Sequence, residues 1–197
     1  MSESLLIGSW NFKSDQVHQY AFLHNFLSKE ECKKVIKKGK ELKLKKATTN
    51  GGIERPIRKS NVSWIYPSKD MEWLFRRATD SITHLNNKYF NFNITGLHEG
   101  FQFTNYKPPG GKYGRHTDRC FNIEIRKLSI SIQLTDPKKY EGGDLKLYNG
   151  GEEDASLMDK SQGTLIIFPS FIMHEVMPVT KGHRNSLVTW VTGPSFK

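Results

Sequence analysis

Residues 128–149 read LSISIQLTDPKKYEGGDLKLYN. Two runs rich in β-branched and apolar residues, 128–134 and 144–149, flank a polar stretch that holds a proline and a glycine pair. Such side chains fit a pleated, half-buried surface, so each run predicts a strand. Gly142 and Gly143 tolerate dihedrals closed to other residues and predict a tight connection between strands. Outward from this stretch the same texture continues in GFQFTNY (100–106), TLIIFP (164–169) and SLVTWVT (186–192). Many short, spaced strands predict a sandwich or barrel for the second half of the chain.

The first half has a different period. In HNFLSKEECKKVIKKGKEL (24–42), Ser28 and Glu31 form a capping box, and Cys32, Val35, Ile36 and Leu42 fall on one helical stripe with lysines opposite. A second helix is predicted from Ser68, after Pro67, with Met71, Leu74, Phe75, Ala78, Ile82 and Leu85 at the same period, ending in NNKYFNFN (86–93). Between them, Gly51, Gly52 and Pro56 predict a mobile loop and Val62 and Trp64 an alternating strand. Helices first and strands later make an α+β chain. At 197 residues it has the length of one domain with a full core. We divide it into helical support and lid (1–99) and core barrel strands (100–197).

Composition narrows the function classes. The start, MSESLLIGSWNF, has no basic stretch ahead of a long apolar run, and the most apolar stretch, TLIIFPSFIM (164–173), is short and broken by Pro169, so neither a secretory signal nor a membrane span is expected. Cys32 and Cys120 are the only cysteines and form no C-x-x-C pair, which points to a reducing cytoplasm rather than a disulfide framework. The formal net charge of +10 suits polyanions, yet much of it lies in KEECKKVIKKGKELKLKK (29–46), where the solvated face of a helix explains it.

The chemistry begins at GRHTDRC (114–120). In an extended strand, side chains two apart share a side, so His116 and Asp118 can face one ion; a His and an Asp in a polar turn is the plain alternative. His174 follows an apolar strand and a proline, far enough along for intervening strands to return the chain to the same mouth. Two imidazoles and one carboxylate form the facial ligand set of non-haem Fe(II) oxygenases, and a closed structural zinc site is less expected without thiolates. Arg184 lies ten positions past His174, after a TKGH segment (180–183) that reads as a hairpin turn. Taken alone it is a turn arginine, but in register with the triad it is a buried cation that needs an anion.

These motifs resemble the 2-oxoglutarate and Fe(II)-dependent dioxygenases, in particular the prolyl 4-hydroxylase-like branch with its bacterial and phage members. The resemblance runs from Phe101 to Thr192 through NYKPPGGKYGRHTD, LSISIQLTDPKKYEGGDLKLY and GTLIIFPSFIMHEVMPVTKGHR, and FLSKEEC (26–32) also looks like this branch. It implies a double-stranded β-helix (jelly-roll) core packed by the N-terminal helices. It also implies Fe(II) on His116, Asp118 and His174, with 2-oxoglutarate and O2 as cosubstrates, the distal carboxylate of 2-oxoglutarate on Arg184, and ascorbate as a further cofactor. Tyr106 occupies the place of a tyrosine that hydrogen-bonds the cosubstrate. Gln133 stands where oxygen-sensing relatives carry a tyrosine. Tyr113, Arg126 and Trp190 match substrate-facing positions, although aromatic packing accounts for Tyr113 and Trp190 and a surface strand for Arg126. His183 is read as a turn residue.

The function expected on this resemblance is hydroxylation of a peptidyl substrate, a prolyl residue first, with the TTNGGIERP loop (48–56) as lid and no membrane partner. The same chemistry on a nucleic-acid base, which the charge suggests, or on another small substrate is the alternative. Oxidative nucleobase demethylases usually carry a second arginine six residues past the first, and here that position is Trp190, so nucleic acid is not the expected partner. A barrel that binds metal or ligand without turnover is the alternative of another class.

Overall fold

The computed structural model describes residues 17–49, 56–118 and 125–195. Along the chain these form β1 (Ala21–Leu23), α1 (Lys29–Glu41), β2 (Lys45–Lys46), β3 (Arg58–Lys59), β4 (Asn61–Ile65), α2 (Glu72–Tyr89), β5 (Gly96–Leu97), β6 (Phe101–Tyr106) and β7 (Gly111–His116). After them come β8 (Arg126–Gln133), β9 (Tyr140–Gly142), β10 (Leu145–Tyr148), β11 (Ala155–Leu157), β12 (Leu165–Pro169), β13 (Met173–Gly182) and β14 (Arg184–Thr192). The expectations for the first twelve residues, for Cys120 and for most of the 48–56 loop fall outside the described residues.

The strands make two antiparallel sheets. The larger runs β1-β12-β8-β14-β6-β4-β2 with β5 on β14, and the smaller runs β11-β10-β13-β7-β3 with β9 on β13. This is a double-stranded β-helix, the expected jelly roll. Alternation along β8 shows how its faces are used: Leu128, Ile130 and Ile132 enter the main core, while Ser129, Ser131 and Gln133 point the other way. Against the Leu128 face pack Cys32 and Val35 of α1 and Leu74, Ala78, Ile82 and Leu85 of α2, the apolar stripes expected of both helices. A second cluster, with Tyr106, Leu145, Leu147, Phe168, Val176 and Val179, lies around the space between the sheets. Burial pushes the Cys32 thiol up to about 12, so it serves as a small apolar core residue.

Both ends of α1 follow the sequence. Ser28 Oγ accepts from the Glu31 amide at 3.1 Å and Glu31 Oε2 accepts from the Ser28 amide at 2.8 Å, the two halves of the capping box. The Glu31 carboxylate also takes both terminal nitrogens of Arg77 at 2.8 Å, which ties α1 to α2 and, with the Arg77 hydrogen bonds as main cause, lowers the Glu31 pKa. At Gly39, where a Cβ would meet the Phe103 ring, the helix lies close against the larger sheet, and Gly39 O accepts from Ser63 Oγ at 2.7 Å.

Two expectations shift. The second helix begins at Glu72 rather than Ser68, because Ser68 O accepts from the amides of both Met71 and Glu72 and so closes a turn ahead of the helix. The TKGH segment is not a hairpin. β13 belongs to the smaller sheet and β14 pairs with β6 and β8 of the larger, so the turn at Gly182 (φ +66°) hands the chain from one sheet to the other. The strand expected through Val62 and Trp64 is β4, and β1 and β2 join it in the larger sheet while β3 edges the smaller.

Candidate metal and cosubstrate site

Strand register brings the triad together. On β13 and β7, His174 stands directly opposite His116, and their rings are 4.2 Å apart between centroids. Asp118 follows β7 and is held by its backbone, its amide donating to Ser170 O at 3.0 Å. His116 Nε2 and His174 Nε2 lie 3.5 and 3.4 Å from the two oxygens of its carboxylate. The three ligand atoms all fall within 4.8 Å of one another, a spacing one ion can bridge.

The tautomers follow from local backbone. His116 Nδ1 is 2.8 Å from Gly114 O and His174 Nδ1 is 2.9 Å from Ile172 O, in each case the carbonyl two residues back. A carbonyl only accepts, so Nδ1 carries the proton and Nε2 is left as the donor atom to a metal. Ser129 Oγ donates to Asp118 Oδ2 at 2.8 Å and lies 2.9 Å from Ser170 Oγ, fixing the carboxylate from behind.

Electrostatics agree with an ionised carboxylate. Burial pushes the Asp118 pKa upward, but the neighbouring imidazoles outweigh it and hold the group well below the usual carboxylate range. Burial lowers His116, while at His174 burial is outweighed by the Asp118 charge and the pKa is raised.

Arg184 is 1% exposed. Its Nη2 donates to Gln133 Oε1 at 3.0 Å and its Nη1 to Ser186 Oγ at 3.2 Å, while Nε has no partner and no carboxylate pairs with it among the described residues. Neutral acceptors do not offset a buried guanidinium, so the position calls for an anion. Arg184 stands opposite Tyr106 in the β14/β6 register, with Cζ 5.3 Å from that ring. Burial raises the pKa of Tyr106 and of Tyr113, so both phenols stay protonated and able to donate.

A cavity of about 960 Å3 opens over this group, lined by the triad, Tyr106, Tyr113, Arg184, Arg126 and Trp190 among others. Tyr113 stacks on His116 with centroids 3.5 Å apart. Arg126 is not a free surface charge: its guanidinium lies 3.7 Å over the Trp190 ring and meets Glu99 in two hydrogen bonds of 2.7 and 2.8 Å. Every site residue expected from sequence therefore stands at the cavity except Gln133, which reaches it through Arg184. His183 is exposed at its turn, as expected.

Residues 101–192 match the family model described as the 2OG-Fe(II) oxygenase superfamily. The match spans the strand-rich second half, a little under half of the chain, and on this fold and this triad the chain is similar to that superfamily. Curated relatives include a PKHD-type hydroxylase of a Synechococcus sp., 36% identical over 87 residues that are 42% of this chain and 38% of the relative. Another, of Prochlorococcus marinus, is 40% identical over 83 residues, 42% of this chain and 37% of the relative. The match thus spans well under half the length of these relatives. Among solved structures, a prolyl-4-hydroxylase of Pseudomonas putida superposes with a TM-score of 0.68 at 22% identity, covering 90% of this chain and 94% of its own. A prolyl hydroxylase from Trichoplax adhaerens, in complex with a hypoxia inducible factor oxygen degradation domain peptide fragment, gives 0.71 at 21%, covering 88% and 83%. Those identities establish a shared fold.

Family and triad together imply Fe(II), 2-oxoglutarate and O2. The residues fit them: two imidazole Nε2 atoms and one anionic carboxylate suit ferrous iron, and the orphaned guanidinium suits a dicarboxylate.

Sequence reasoning missed Ser129 and Ser170, which brace Asp118, Glu99, which holds Arg126, and Arg58, whose guanidinium lies 4.4 Å over Tyr113. Only Ser129 left a signal, in the small polar residues that interrupt the isoleucines of LSISIQL. No helix of the described residues is long and apolar enough to cross a membrane.

A structural test of the Arg184 support lies at Gly143. Its φ is +65°, and a Cβ there would stand 2.8 Å from Val179 Cγ2 and 2.9 Å from Arg184 Cδ. Gly143→Ala is expected to lower stability by about 1–3 kcal/mol through the left-handed backbone alone. By pushing on the Arg184 stem it should also raise the KM for 2-oxoglutarate. Denaturant unfolding and cosubstrate titration read the two effects separately.

Proposed function

We propose that the protein is a 2-oxoglutarate- and Fe(II)-dependent oxygenase that hydroxylates a peptidyl substrate, a prolyl residue being the foremost target, coupled to conversion of 2-oxoglutarate and O2 into succinate and CO2. The observation that carries this is the buried Arg184, without a carboxylate partner among the described residues, on the same cavity as an open His-Asp-His set.

In this proposal His116, Asp118 and His174 hold Fe(II), which when bound activates O2 at the expense of 2-oxoglutarate and delivers one oxygen atom to the substrate. Arg184 takes the distal carboxylate of 2-oxoglutarate, with Tyr106 as a neutral phenol donor beside it and Gln133 holding the guanidinium in place. Tyr113, on the face of His116, closes one side of the metal mouth and restricts water. Arg126 and Trp190, locked together, form a wall against which the substrate is placed. Ascorbate is proposed as a reductant that keeps the iron ferrous, and a reducing cytoplasm as the compartment.

The peptide target is supported by the likeness to prolyl hydroxylases, one of them holding a peptide fragment, and by Trp190 in place of a second arginine. The test is succinate release with Fe(II), 2-oxoglutarate and a panel of proline-containing peptides, with mass spectrometry of the products. The expected result is succinate in step with one oxygen gained on proline. No succinate across the panel would refute the assignment.

A further inference from the structure

The cavity lining is unbalanced in charge. Lys43, Lys45 and Arg58 line its outer part, and among the described residues Asp118 at the metal end is the lining's only carboxylate. Arg115 and Arg126 also line it but are matched, by Glu152 and Glu99. Lys43 and Lys45 are exposed and pair with no carboxylate among the described residues. Neither the proposed iron site nor the Arg184 pocket makes use of these outer cations.

Arg58 is the best defined of them. It lies on β3, opposite Tyr113 of β7, on the edge of the smaller sheet. Its Nε donates to Ser60 Oγ at 3.3 Å, its Nη1 to Thr48 O at 3.3 Å and its Nη2 to Gln102 Oε1 at 2.6 Å, and Cζ sits 4.4 Å over the Tyr113 ring. All three acceptors are neutral, and each terminal nitrogen has a second N–H that no described residue accepts. The guanidinium is thus fixed in orientation before any ligand arrives, which limits the ordering cost of taking a carboxylate.

Resting on the hydroxylase proposal above, we propose that the substrate is an acidic peptide segment, one carboxylate of which is taken by Arg58 while further acidic residues run along Lys43 and Lys45. Arg58 is one aromatic ring removed from His116, since Tyr113 lies between them. At about 3.3 Å per residue of extended chain, the anchored Asp or Glu falls roughly two or three residues from the target side chain. A nucleic acid would meet the same charge but fits the cavity less well. Enzymes that act on a flipped base stack it on aromatic faces. Here Tyr113, the ring nearest the metal end, is covered by His116 and by Arg58, and Trp190 is covered by Arg126, so the remaining lining indole, Trp64, is set against Trp190 without a second open ring to sandwich a base.

The experiment is fluorescence anisotropy on the protein loaded with Mn(II) and 2-oxoglutarate, which permits binding without turnover. The probes are peptides of one length with a central proline and flanks of Glu and Asp, of Gln and Asn, or of Lys, together with a single-stranded oligonucleotide. The acidic peptide is expected to bind about 10-fold tighter than the neutral one and the lysine peptide more weakly still, the differences shrinking as salt is raised. Arg58→Gln should remove most of the preference and Arg58→Lys should keep part of it. The exposed double variant Lys43→Glu/Lys45→Glu, chosen because its fold is not at risk, should reverse the preference. Equal affinity for the three peptides would overturn the proposal, as would an oligonucleotide that binds more tightly than the acidic peptide. Failure is separable from failure of the hydroxylase assignment. Succinate and product oxygen without charge preference overturn only the acidic recognition, whereas acidic preference without any product oxygen supports the recognition and refutes the hydroxylase.

Discussion

Arg184→Met is expected to make the protein more stable without cosubstrate and nearly unresponsive to it. The guanidinium is almost fully enclosed and is met by two neutral acceptors, Gln133 and Ser186, with Nε unpartnered. Replacing a whole buried ion pair by apolar side chains is often neutral or stabilising by about 1–4 kcal/mol, and a cation with no counter-charge recovers desolvation in the same sense, less the loss of the Gln133 and Ser186 hydrogen bonds. The same change removes the fork proposed to grip the far carboxylate of 2-oxoglutarate. A charge-assisted pair of that kind contributes about 1.5–3 kcal/mol, so KM should rise at least ~10-fold and up to roughly 100-fold. Thermal melts with and without 2-oxoglutarate check both signs together: the native protein should gain stability from the ligand and the variant should not. An Arg184→Met protein that melts lower and still gains from 2-oxoglutarate would show that the arginine is structural. Arg184→Lys keeps the charge but not the fork, and is expected to fall between the two.

Asp118→Ala should reduce succinate formation by at least ~100-fold. Loss of an outer partner of a metal ligand alone typically costs about 10- to 100-fold in affinity or activity, and Asp118 is the one anionic ligand of the proposed set. Its carboxylate also organises the site before metal arrives, because both imidazole Nε2 atoms point at it and Ser129 is oriented by it. A titration with Mn(II), read by melting temperature, separates lost metal binding from lost chemistry. The native protein should gain stability with the logarithm of metal concentration once that exceeds Kd, and the variant only weakly. Unchanged metal affinity in the variant would remove Asp118 from the ligand set. Asp118→Asn, which keeps shape but not charge, should retain some affinity and so isolate the electrostatic part.

The parts of this protein legible in its sequence are those set by neighbours along the chain. The capping box at Ser28 and Glu31 needs only three residues of spacing, and the apolar stripes of α1 and α2 need only helical period, so both appear as expected. The strands at 101–106, 128–133 and 165–169 were visible because they are buried along almost their whole length, which demands a continuous run of apolar and small residues. β13 was not visible as a strand. Only its residues at 174, 176 and 179 are buried, Pro178 interrupts it, and it pairs with β7 through two register shifts, so no steady alternation marks it. β7 was hidden for a like reason, as a strand next to the edge with two glycines and a half-exposed pattern. The wrong expectation of a hairpin at 180–183 has the same origin: a glycine turn between two strands looks alike whether the strands pair or part, and the difference lies in which other strands are available to each.

By itself the sequence determined the helices, the long buried strands, the kinds of side chain on offer at His116, Asp118, His174 and Arg184, and, through resemblance, which family the chain is similar to. Only the tertiary structure decided that His174 stands across from His116, that Arg184 is enclosed beside Tyr106 without a carboxylate partner among the described residues, and that Arg58 and Arg126 each cover an aromatic ring of the cavity. The physical reason is that local pattern is imposed by one residue's own backbone and near neighbours. The meeting of groups 56 or more positions apart is set by the register of antiparallel pairs and the passage of the chain between two sheets, to which many weak local preferences contribute and which no single short stretch encodes.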